Sequence, residues 1–400
     1  MTRLKWILLF LVAAKFVFHT IYVPAFEGPD EPFHLAHVGR IWRADVVPPD
    51  IVGSVQQHPC SIDLRRAFGC QPFGGGRAEF DVLHATSPIA AKAITNYEAH
   101  QPPLYYAVAA LFAHGDPVTR LLLIRLFSVV ICVAAIVLFL RDDVTEGALL
   151  VLLLPGAAES LARCANDPGV FAWCAAMIWA VRRNAPTYAL ALLALAGPLV
   201  KLTAIPVIAF VVIWAIRNRG LVQAAAIAVA AMFVLPVQWF RGYLWGGTVE
   251  LNARTALDPD TITQALIGFI RSAYTFIKTV FWLGEWSFFR APAWLLAIAL
   301  LYVIVVVISV RLRPGAWAPH ATALAVAAIG TAIFFVSHRR FWGQWGGVGG
   351  WYAWGWYPWL IVAARDSFEL RRVSFLRISG AILIVVANVA WFATAHSIYG

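Results

Sequence analysis

The residues best equipped for chemistry stand close together. Glu27, Asp30 and Glu31 put three carboxylates within five positions, with Pro29 and Pro32 on either side of Asp30-Glu31 and His34 just beyond. A carboxylate can take the proton of a hydroxyl as a general base, and several together can hold a divalent cation. Proline fixes φ and cannot continue a helix, so this stretch reads as a rigid turn. From Phe33 to Trp42 the apolar Phe33, Val38, Ile41 and Trp42 alternate with His34, His37 and Arg40. That predicts a short amphipathic helix lying on a membrane surface. Two readings of Asp30 and Glu31 stand side by side. At the start of that helix they satisfy free N–H groups and suit its dipole. Alternatively they form a catalytic or metal-binding pair at the boundary between water and lipid.

A second polar knot, Tyr97 to Tyr106, is again braced by prolines and contributes His100 and Gln101. Further along come Asn166-Asp167, Lys201, Glu285, Arg339 and Arg340. The elements that must position these residues are membrane helices. The 400 residues are 61% hydrophobic, and apolar runs near twenty residues recur along the chain, as spanning helices require. The net charge of +10 is not a nucleic-acid signal. Its Lys and Arg lie in short clusters between apolar runs, where they set topology.

Read this way, the chain is an all-α polytopic membrane protein of about eleven spans and one domain over residues 1–400, its N-terminus cytoplasmic. Span 1 is Trp6 to Phe26, a retained helix rather than a signal peptide. It carries Lys15 and His19 four residues apart and hence on one face, reading either as an internal ion pair or as a contact to an anionic lipid group. Residues 25–103 form a long, net acidic outer loop with amphipathic surface helices. Span 2 is placed at Val118–Leu140, span 3 at 147–162 and span 4 at 168–181. Spans 5 and 6 cover 186–216, span 7 covers 221–240, and spans 8 to 11 follow. A second outer segment, 241–290, holds a surface helix at Ile262–Phe281, and a third is 337–350. Cys60 and Cys70 share the first loop and suit a disulfide in an oxidising compartment.

With this topology Asp30, Glu31, His34, His100, Gln101, Asn166, Asp167, Lys201, Glu285, Arg339 and Arg340 all fall on one side of the membrane. The cytoplasmic loops are short and contain no phosphate-binding loop. Chemistry on the outer side therefore lacks a soluble nucleotide donor, and the substrate should be carried on a lipid. Lys and Arg can hold a phosphate leaving group and stabilise its growing charge. The eighteen tryptophans suit an interfacial belt and sugar stacking.

Gly28-Pro29-Asp30-Glu31-Pro32-Phe33-His34 after one span, followed by Glu98-Ala99-His100-Gln101-Pro102-Pro103-Leu104-Tyr105-Tyr106 before the next, resembles the GT-C membrane glycosyltransferases. The wording is similar to a bacterial branch of that superfamily, as are Asn166-Asp167 and Phe281-Trp282-Leu283-Gly284-Glu285-Trp286. The resemblance implies a bacterial inner-membrane enzyme with a periplasmic active site. It would move a sugar from a polyprenyl-phosphate carrier to a periplasmic or cell-surface glycan or lipid, with inversion and without nucleic acid. It implies Asp30 as general base, or Glu31 in its place, with His34 and His100 lining the pocket and Lys201 near the lipid phosphate. Asp167, together with Asp30, is the implied holder of a Mg²⁺ or Mn²⁺ ion if the turn after span 3 meets the first loop. Charge and side add Arg339 and Arg340 as phosphate contacts. One departure is that the chain reads Gly350-Trp351-Tyr352 where relatives carry an Arg-Tyr pair. The competing readings are a transporter or flippase for lipid-linked sugars and a non-catalytic scaffold of a polysaccharide-assembly complex. For the transporter, buried ionisable residues and two related halves are expected. The sequence offers only Lys15 and His19 as buried, and no repeat.

Overall fold

The computed structural model describes residues 1–28, 30–42, 45–60, 68, 70, 94, 96–244, 261–281, 292–312, 318–342, 345, 349–370 and 373–399. Glu285 lies outside them, as does the side chain of Arg340. The described chain is predominantly helical. Its helices are α1 (Arg3–Tyr22), α2 (Glu31–His37), α3 (Pro49–Gln56), α4 (Leu104–Ala109), α5 (Pro117–Ala135), α6 (Glu146–Val151), α7 (Pro155–Leu161), α8 (Asp167–Arg182) and α9 (Thr187–Val200). Then come α10 (Ile205–Asn218), α11 (Leu221–Met232), α12 (Val234–Leu244), α13 (Ile262–Phe281), α14 (Ala293–Ser309), α15 (Ala318–Trp342), α16 (Tyr352–Gly355), α17 (Tyr357–Ser367) and α18 (Val373–Tyr399). A short antiparallel ladder pairs Val310–Leu312 with Phe368–Leu370.

Five stretches among the described residues are long and apolar enough to cross a membrane: Arg3–Tyr22, Pro117–Leu140, Leu221–Gly242, Pro319–Val336 and Phe375–Ser397. Their outward faces are apolar. Ile21, Val229 and Val389 are 72%, 72% and 64% exposed. Contiguous faces of this kind need an apolar surrounding rather than water.

The middle of the bundle is α8, which packs against α5, α9, α16 and α17. Its Val170, Phe171, Cys174, Ala175, Met177 and Ile178 are all buried. A helix apolar on every side belongs in the interior, and this placement fixes its first residue, Asp167, inside the protein. Local signals set the helix ends. Asp116 accepts hydrogen bonds from the Val118 and Thr119 amides and Pro117 takes the first turn, which starts α5 where its apolar run begins. Cys60 and Cys70 are joined by a disulfide, with their Cα atoms 6.1 Å apart.

Three expectations are corrected. The helix after the first carboxylates does not lie on a surface: all seven residues of α2 are buried, because its histidines pack beneath α4 and α12. The expected span at 147–162 is two short helices, α6 and α7, since the chain leaves helix at Leu152–Leu154 before Pro155 restarts it. Lys15 is half-buried, and His19 is not alone inside the bundle, for Arg125, Arg163, Lys201 and Arg241 are buried as well.

Candidate functional site

The two adjacent carboxylates of the first motif have separate fates. Glu31 is fully buried. Its Oε1 accepts from Arg125 Nε at 2.8 Å and from the Cys164 amide at 3.0 Å. Its Oε2 accepts from the Gly28 amide at 3.0 Å and from the Arg125 guanidinium. Arg125 also donates to the carbonyls of Thr20, Val23 and Pro24. A guanidinium has five N–H donors, and every one is engaged here. Glu31 and Arg125 thus tie the end of α1, the first turn of α2 and the turn before α8 into one knot. Gly28 is required by that knot, because a Cβ there would meet Glu31 Cδ at 2.4 Å. Both Glu31 oxygens are committed to protein donors in a fully buried side chain, which sets it apart from Asp30.

Asp30 is different. It precedes α2 with φ +59°, ψ 11°, in the left-handed region, and its side chain caps no helix N–H. Asp tolerates this conformation better than most residues, yet it carries a cost of order 1 kcal/mol. Asp30 is half-buried, and its charge acts on Arg163 and on Tyr352.

Those neighbours belong to a second charge cluster. Asp167 Oδ1 accepts from Lys201 Nζ at 2.7 Å, and Oδ2 accepts from Arg163 at 2.6 Å. All three side chains are buried. The two cations also feel further carboxylates, Asp30 acting on Arg163 and Glu98 on Lys201. Lys201 Nζ also sits 4.6 Å from the centroid of the Tyr352 ring, a cation–π contact. Position is set by backbone: Asp167 opens α8, Lys201 ends α9, and Tyr352 opens α16.

Around this cluster stands a neutral polar ring. Asn166 Nδ2 donates to Gln101 Oε1 at 3.0 Å and to the Val200 carbonyl at 3.1 Å. Gln101 Nε2 donates to Glu98 at 2.7 Å. Asn166 Oδ1 is buried and has no hydrogen-bond partner among the described residues. His34 Nδ1 lies 2.6 Å from the Tyr106 hydroxyl, and Tyr106 stacks on His37 at 4.0 Å. Burial, and then the nearby Arg163 and Lys201, hold the His34 imidazole well below its ordinary value. Burial and Arg241 do the same for His37. Both rings are neutral at pH 7. His100 is exposed at the rim.

The structure thus groups Asp30, His34, Gln101, Asp167 and Lys201, puts His100 at their edge, and separates Glu31. Arg339 is half-buried near the end of α15. Of the Asp30–Asp167 pair expected to hold a metal, Asp167 is engaged by protein cations. Both Asp167 oxygens face cations, and among the described residues no three His, Cys, Asp or Glu side chains form a group able to hold a metal ion. Sequence reasoning missed Arg163, Arg125, Glu98 and Tyr352 as members of these clusters. Arg125 carried a signal, being a charge inside the apolar run of α5. Tyr352 stood out only through the Gly350-Trp351-Tyr352 departure noted in the sequence. We find no family model, curated protein or solved structure that matches this chain.

Proposed function

We propose that this chain is a multi-pass protein of the bacterial inner membrane and a GT-C-like glycosyltransferase with about eleven membrane segments. In this reading the Asp30–Asp167–Lys201 region faces the periplasm. The enzyme transfers a sugar from a polyprenyl-phosphate carrier to a glycan or lipid acceptor. The observation that carries the reading is a buried Arg163–Asp167–Lys201 cluster beside a carboxylate, Asp30, that caps no helix. Asp30 takes the proton of the acceptor hydroxyl. The acceptor oxygen forms a bond to the anomeric carbon as the bond from that carbon to the phosphate oxygen breaks. The electron pair leaves with the phosphate, whose added charge Lys201 and Arg163 stabilise in a site shielded from water. Direct displacement with one base inverts the anomeric carbon. Neutral His34 and the Gln101–Asn166 pair supply hydrogen bonds to sugar hydroxyls. No step is routed through a metal ion.

Transfer measured in membranes supplied with polyprenyl-phosphate sugars tests the reading. Asp30→Asn is expected to lose about 10²- to 10⁴-fold in rate while the protein accumulates normally. Unchanged transfer would remove Asp30 from the mechanism. The transporter reading draws support from the half-buried Lys15 and the buried His19 and Arg125. Arg125, however, is saturated by Glu31 and three carbonyls, which is an anchor rather than a moving charge.

A further inference from the structure

A second polar site lies away from this region, between α1 and α18. A cavity of about 170 Å³ is lined by Lys15, Phe18 and His19 from α1 and by Asn388, Trp391 and Phe392 from α18. Lys15 Nζ donates to the Leu153 carbonyl and to Asn388 Oδ1. Asn388 is itself fixed, donating to the carbonyls of Leu153 at 2.9 Å and Ile384 at 2.8 Å. An ammonium has three donors, so one N–H of Lys15 remains for a ligand.

His19 is only 6% exposed, yet neither ring nitrogen has a hydrogen-bond partner among the described residues. The buried hydroxyl of Tyr22, one turn further along α1, is in the same condition. Its ring packs 6.1 Å from Trp391, and the His19 ring packs 5.5 Å from Trp391. Trp391 is already engaged, its indole donating to Glu159 at 2.5 Å. Each buried polar group left without a partner costs about 1–3 kcal/mol. Within the cavity itself, the two unpartnered His19 nitrogens beside the Lys15 ammonium describe a site built for a polar ligand with acceptor oxygens and negative charge.

The mouth shows where that ligand enters. Phe18 and Phe392, 44% and 46% exposed, stand 6.2 Å apart between ring centroids on the outward faces of their helices. Both helices are among those long and apolar enough to cross a membrane. The opening therefore faces acyl chains. We infer that this cavity binds the phosphate group of a membrane lipid, with Lys15 and His19 contacting the phosphate oxygens and the lipid tail leaving between Phe18 and Phe392. The inference rests on the membrane reading of α1 and α18 and not on sugar transfer.

Native mass spectrometry of the detergent-purified full chain tests it with three probes: phosphatidic acid, diacylglycerol and inorganic phosphate. Phosphatidic acid should bind best. Lys15→Met should weaken it about ten- to a hundredfold, the range of one charged hydrogen bond, and Lys15→Arg should restore most of the loss. Equal binding of diacylglycerol would overturn phosphate recognition. Equal binding of inorganic phosphate would overturn the lipid as its source. Unchanged affinity in Lys15→Met would overturn the site. If that variant does not fold, Phe18→Trp, which narrows the mouth, must weaken phosphatidic acid, and retention of full affinity would sink the proposal. Resistance to alkaline extraction from membranes reads the membrane assignment separately.

Discussion

Two buried charge clusters lie one turn of chain apart and obey different arithmetic. The Glu31–Arg125 pair is neutral, and all five guanidinium donors and both carboxylate oxygens are engaged. The Asp167 cluster joins two cations through one carboxylate, feels the charges of Asp30 and Glu98, and borders an amide oxygen without a partner among the described residues. A saturated, neutral pair has nothing left to offer a ligand, and its work is to hold three chain segments together. A cluster that borders an amide acceptor without a partner keeps room for a ligand that can donate a hydrogen bond. Residue type alone does not distinguish the two, because both consist of Arg and acid. The distinction lies in the count of donors and acceptors.

The comparison can be broken most decisively at Glu31. Glu31→Gln leaves the Arg125 guanidinium buried without its counter-charge and should cost about 3–5 kcal/mol of stability, read as a large drop in thermal unfolding in detergent. A stable but inactive variant would instead make Glu31 part of the chemistry. Lys201→Met is a milder test. Asp167 keeps Arg163, so no charge is stranded, and the stability loss should stay at about 1–2 kcal/mol while affinity for a polyprenyl phosphate falls. An equally large loss of stability in both variants would erase the difference between the clusters.

Acid should reveal the neutral histidines. His34 and His37 are held below their ordinary value in the folded chain. Below pH of about 6.5 the unfolded chain takes up protons that the folded chain does not, so stability falls as pH drops through that value. Unfolding midpoints between about pH 7.5 and 5.5 should show the decline, with a shallower slope in His34→Gln. A flat profile would mean that these rings protonate in place. The smallest effect on stability is expected at Asp30. Asp30→Gly relieves the left-handed backbone but adds freedom to the unfolded chain, so the net change should lie within about 1 kcal/mol. Transfer should be lost nonetheless. Adjacent residues would then give opposite signatures, stability at Glu31 and activity at Asp30.

Much of the helical plan was legible in the sequence. The apolar run predicting a span at Val118–Leu140 corresponds to Pro117–Leu140, and the amphipathic Ile262–Phe281 has those same bounds, because periodicity and capping residues are local. His34, Gln101, Asp167 and Lys201 stood out in the sequence as polar residues beside apolar runs. What could not be read was partnership. Glu31 and Arg125 are 94 residues apart, and nothing local says that an arginine in an apolar run will serve the free carbonyls at the end of another helix. The burial of α2 escaped for the same reason. Its histidines look polar until Tyr106 and Arg241 are seen to take them.

Arg241 has a consequence for the order in which the molecule is made. Its side chain donates to the carbonyls of Ile41, Gln101 and Ala99, to Gln238 and to His37 Nε2. All but Gln238 belong to the first hundred or so residues, which leave the ribosome long before position 241. Until α12 is synthesised, those carbonyls and the His37 ring have no guanidinium to receive. The segments at His37–Ile41 and Ala99–Gln101 must therefore wait for a late helix to fasten them together. A ribosome paused before residue 241 would hold a nascent chain whose early loop is still accessible to protease, and release past α12 would close it.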